Sequence, residues 1–137
     1  MTDRERECRH WVSEALRLSG MDRDWTVRLD FSRRGDDEAY ACAVSQPQYW
    51  RATLFFDFDN PKFEMWEGEP DGLRRLVLHE LGHVFFSPYT KPARRFAKKA
   101  GGKVVVEVLE DIEDTHIASW ERMPCWEQMK PYESSTP

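Results

Sequence analysis

The chain has 137 residues, 40% hydrophobic and 33% charged, with a net charge of −5. That suits one domain with a real core; the acidic balance disfavours a general nucleic-acid binder, and no apolar run approaches the ~20 residues of a membrane span. Three scattered cysteines (Cys8, Cys42, Cys125) form no disulfide framework, and the polar start lacks a secretion signal's apolar stretch, so the expectation is a cytoplasmic domain over 1–126 with a loose tail, 127–137.

In chain order, Cys8, Trp11, Val12, Ala15 and Leu16 give one apolar stripe on a helix over 3–19, stopping at Gly20. Residues 25–31 alternate apolar and polar as a half-buried strand does, 33–37 reads as a turn, and 40–45 reads as the hairpin partner of the first strand. A third strand spans 49–57. From Leu73 the period becomes helical, with Leu76, Val77, Leu81, Val84 and Phe85 on one face as far as Phe86. Ser87-Pro88 is expected to end that helix, because the residue before proline is pushed out of the α region. A basic helix over 91–103 closes at Gly101-Gly102, and a last helix runs from 104 to 120 on the apolar positions Val105, Val108, Leu109 and Ile112. The fold class is α+β: a small three-stranded, antiparallel-type sheet on two chemistry-bearing helices.

His79-Glu80-Leu81-Gly82-His83 reads HExxH inside the helix from Leu73. Histidines at i and i+4 project from one face, so both imidazoles can reach one Zn²⁺ at about 2.0–2.1 Å. Glu80 is rotated about 100° from His79, beside the metal's open position, where it can take a proton from a zinc-bound water. The surrounding run of Leu, Val and Phe is too apolar for a solvated helix face. Burying two histidines and a carboxylate there without a partner would be costly, and a metal answers that problem.

On this motif, and on the order strands, motif helix, connector and later helix over 25–120, the sequence resembles the zincin metallopeptidases. It resembles more closely the compact gluzincins such as the minigluzincins, and it also looks like small phage- and prophage-encoded metallopeptidase-like proteins. The metzincin continuation is absent: Val-Phe-Phe-Ser-Pro-Tyr follows His83. The resemblance implies a zincin-like fold and a third zinc ligand, a glutamate of a later helix, with an aspartate four residues on. Glu107 with Asp111 and Glu110 with Asp114 both offer that pattern, on a face opposite Val105, Val108, Leu109 and Ile112. Glu107 is favoured as the ligand, Glu110 is the alternative, and Glu113 and His116 follow. The resemblance also implies an edge strand that pairs with an extended peptide, a role assigned to 49–57 with Arg51-Ala52-Thr53-Leu54 at its centre.

The expected function is therefore a zinc-dependent endopeptidase acting on a peptide or protein substrate, with Glu80 as general base and no nucleic-acid or membrane partner. The alternative is a non-catalytic zincin-fold metal-binding module serving protein–protein interaction. A peptide deformylase would need a Gly-Cys-Leu segment, and Cys42 lies in Ala-Cys-Ala. The basic run from Lys91 to Lys103, the Cys8–His10 pair and the tryptophans read as solvated face and core.

Overall fold

Helix α1 (Asp3–Ser19) begins with a reciprocal cap: the Glu5 amide donates to the Thr2 hydroxyl and the Thr2 amide donates to the Glu5 carboxylate. Its stripe of Cys8, Trp11, Val12 and Ala15 is buried, as the spacing predicts. The computed structural model describes residues 1–35, 39–67, 69 and 71–133. The turn expected at 33–37 thus lies partly outside the described residues, as does the end of the tail from 134.

Three strands follow: β1 (Thr26–Asp30), β2 (Ala41–Gln46) and β3 (Arg51–Phe56), in the order β1-β3-β2. The expected hairpin between the first two does not form. Instead β1 pairs in parallel with β3, and β2 pairs antiparallel with it, so the sheet is mixed rather than antiparallel. The cause is burial. Ala52, Leu54 and Phe56 are all buried, and a strand this apolar takes the centre, where both its backbone edges are paired. A 3₁₀ turn, Pro47–Tyr49, and Trp50 in the left-handed region (φ 54°) join β2 to β3. That conformation is uncommon for a bulky residue. The Trp50 ring meets Trp25 edge-on at 5.2 Å, its carbonyl accepts from the Thr26 amide at 2.9 Å, and its amide donates to the Pro47 carbonyl at 3.2 Å, which together hold it.

After the short α2 (Glu64–Glu67) come α3 (Gly72–Ala100) and α4 (Gly102–Glu121). The expected stop at Ser87-Pro88 is overturned, because α3 runs through both Pro88 and Pro92 and absorbs most of the basic segment. Pro88 takes an amide donor from the Val84 carbonyl, and the buried Ser87 hydroxyl replaces it at 2.7 Å. The chain reverses at Gly101-Gly102, where Gly102 has a φ of 69° that suits glycine.

The two long helices meet at the HExxH turn. A Cβ on Gly82 would stand 3.2 Å from both Ile117 and Trp120, so a larger residue would push these α4 side chains back by a few tenths of an ångström. The Trp120 indole donates to the Leu78 carbonyl at 2.9 Å and fixes the crossing. As a result α4 sits in a different phase from the expected one. Glu113, Ile117 and Trp120 are buried, whereas Val105, Val108 and Ile112 are exposed.

The segment expected to be loose is instead docked on α1 as far as residue 133. Met129 is buried, the Lys130 amide donates to Glu14 at 2.6 Å, His10 donates to the Lys130 carbonyl at 2.6 Å, and the Tyr132 hydroxyl donates to Asp3 at 2.6 Å. A buried apolar side chain and paired backbone groups order a chain end that its polar composition suggested was free. Among the described residues, no helix is long and apolar enough to cross a membrane.

Candidate metal centre

The N-terminal half of α3 carries His79, Glu80 and His83, and the structure brings all three together. The two Nε2 atoms face each other at 3.3 Å. A single tetrahedral ion with Zn–N bonds of about 2.0–2.1 Å would separate two of its nitrogen donors by about 3.3–3.4 Å. The opposite nitrogens are engaged by carboxylates of α4: His79 Nδ1 lies 3.0 Å from Glu121 and His83 Nδ1 lies 3.0 Å from Glu113. When each Nδ1–H is donated to its carboxylate, both Nε2 lone pairs turn on one point. Two lone pairs aimed at each other need a cation or a proton between them. The spacing of the two nitrogens therefore fits a divalent ion of the zinc type, as two of its donors, with the carboxylates orienting the rings from behind.

Glu113 is buried, and its second oxygen accepts from Arg94 at 2.5 Å. One carboxylate thus links Arg94 of the distal α3 to the ring of His83. Glu80 is also buried. Burial pushes its carboxyl above the usual range, and the positive character of His83 and His79 opposes that shift. With His83 and Glu113 it lines a cleft of about 260 Å³, whose other wall includes Ala41, Ala43 and Ser45 of β2. Lys91 crosses the cleft and donates to the Ser45 carbonyl.

The cleft-side strand is β2. The expectation that the 49–57 segment offers a free edge fails, because β3 is central and pairs on both sides. Nor does the structure bring Glu107 to the histidines. It lies six residues before Glu113 on the exposed side of α4, 3.8 Å from Lys103. Glu110, Asp111 and Asp114 are exposed as well, and so is His116, whose ring lies tilted against Phe86 at 5.4 Å. Among the described residues, no group of three or more His, Cys, Asp or Glu side chains is arranged to hold a metal, so the site supplies two nitrogens. Sequence reasoning overlooked Glu121 and Arg94. The stripe Glu113, Ile117, Trp120 and Glu121, spaced i, i+4, i+7 and i+8, was the available signal. No family model matches the chain, and comparisons with curated proteins and with solved structures give no significant match.

Proposed function

We propose that this chain is a zinc-dependent metallopeptidase of zincin type that hydrolyses internal peptide bonds. The observation that carries the reading is the convergence of the His79 and His83 Nε2 atoms, 3.3 Å apart, with buried Glu80 in the adjoining cleft. His79 and His83 would hold the ion, while Glu121 and Glu113 fix their rings. Zinc bound there would supply Lewis-acid polarisation of a carbonyl and a water acidified toward neutral pH. Glu80 takes the proton of the attacking water and passes it to the departing amine nitrogen, a task that suits a carboxyl whose affinity for protons burial has raised. Among the described residues no strand pairs with the outer edge of β2 beside the cleft, and an extended peptide can align its backbone there once it displaces or accommodates Lys91, which donates to the Ser45 carbonyl.

The test uses the purified chain, its Glu80→Gln variant and its His79→Ala/His83→Ala variant. Zinc content is measured by mass spectrometry, and cleavage of an unfolded protein substrate is followed in parallel. The parent is expected to hold one zinc and cleave, Glu80→Gln to keep zinc and lose about 10²–10⁴-fold in rate, and the double variant to lose both. Equal cleavage by parent and Glu80→Gln would sink the reading. Stoichiometric zinc with no cleavage by the parent would favour the non-catalytic module.

A further inference from the structure

Beyond the candidate site, α3 and α4 continue as a two-helix arm with little of its own core: none of residues 98–112 is buried. Helical segments of this length are marginal in water unless an apolar face is covered. The arm does carry such a face, and the described residues leave most of it uncovered. On α3, Phe85, Tyr89 and Phe96 fall within about 40° of one another at 100° per residue, a four- and seven-residue spacing that makes one seam; Phe85 anchors its inner end, stacked on Trp120 at 4.6 Å, and Tyr89 and Phe96 are its open part. On α4, Val105, Val108 and Ile112 fall within about 60°. Tyr89 and Phe96 are 75% and 73% exposed and Val108 is 50% exposed. The two seams border one groove of about 160 Å³ that Tyr89, Ala93, Leu109 and Ile112 line, so they form a single continuous face. Exposed apolar faces of this kind mark interaction surfaces.

Charge selects the occupant. Outside the α3 seam, on the side away from α4, stand the basic residues Arg95 and Lys99. Outside the α4 seam, on the side away from α3, stand the acidic residues Glu107 and Asp111. We infer that this face pairs with the same face of a second copy of the chain, about a twofold axis parallel to the helices, to give a four-helix bundle. Each α3 then lies on the partner's α4, and the basic flank of one meets the acidic flank of the other. The other twofold arrangement sets basic flank against basic flank and is disfavoured. A self-complementary surface is what a twofold dimer requires, and two hairpins supply the shared core that one lacks. His83 lies about 160° round α3 from Phe85, so the dimer leaves the metal cleft open.

The test is solution mass by light scattering and sedimentation across micromolar concentrations, with the helix content of each sample recorded by circular dichroism. The expected result for the parent is twice the mass of one chain, with thermal stability that rises with protein concentration. Val108→Asp, a change at an exposed position, should raise the dissociation constant at least about tenfold. Arg95→Glu should weaken the dimer, and adding Glu107→Arg should restore it, which separates the two twofold arrangements. A parent chain that stays monomeric while fully helical overturns the proposal. So does a dimer indifferent to Val108→Asp. A dimer lost in Val108→Asp but untouched by Arg95→Glu overturns the stated orientation of the axis.

Discussion

Ser87 and Val84 are joined by a hydrogen bond from hydroxyl to carbonyl, 2.7 Å long and one residue ahead of Pro88. It replaces the donor that Pro88 removes, which lets the helix pass the first of the two prolines it contains on its way to Ala100. Ser87→Ala leaves a buried carbonyl without a donor, at an expected cost of about 1–3 kcal/mol in urea unfolding. Ser87→Ala/Pro88→Ala, which returns an amide donor to that carbonyl, should recover most of the loss. A double variant no more stable than the single one would contradict this account.

Glu113 stands between a guanidinium and an imidazole, buried against both. Glu113→Gln keeps the shape and one acceptor but removes the charge that holds Arg94 and makes His83 a better donor to a cation. Zinc affinity, read by competition with a chromophoric chelator, should fall about 10–100-fold. Unchanged affinity would detach Glu113 from the histidine pair.

Glu14 ties the chain's end to α1. Hydrogen bonds from Arg17, and then one from the Lys130 amide, hold its carboxyl at about 2 against an ordinary 4.5. The folded value lies below the unfolded one, so this stabilisation is complete above about pH 4.5 and is lost as the pH falls toward 2. Glu14→Gln should therefore flatten the stability–pH curve between those limits and leave its slope above pH 5 unchanged. Chemical denaturation at stepped pH measures both, and parallel acid limbs would refute the assignment.

Within the sheet, position decides the size of an effect. Leu54 is fully buried at the centre of β3, so Leu54→Ala should cost about 2–5 kcal/mol. Val44 on the edge strand is 53% exposed, so Val44→Ala should stay within about 0.5 kcal/mol. Equal losses at the two positions would mean that the burial order across the sheet is wrong.

What the sequence made legible was local. The α1 stripe from Cys8 to Ala15 shows because its residues share one face, and His79, Glu80 and His83 come together because one turn of one helix carries them. The strand order did not show, since it depends on which distant strand buries most, and β3 won that contest through Leu54 and Phe56. In α4 two apolar stripes compete, and the richer one, Val105, Val108 and Ile112, faces outward. That choice drew attention to Glu107 rather than to Glu113, which the sequence reading ranked lower, and missed Glu121 altogether. A carboxylate on a helix usually faces water, and only the approach of Gly82 to Ile117 and Trp120 turns Glu113 and Glu121 toward the histidines.

The parallel seat of β1 on β3 carries a kinetic consequence. The β2–β3 pair closes through a four-residue connection, whereas β1 must wait for a partner that lies twenty residues further along the chain. Loop closure taxes the longer route more heavily, so the hairpin is placed to assemble ahead of the first strand. In pulse-labelling exchange, amides of β3 that face β2 should gain protection before those of β1, and β1 should also be the first to peel away.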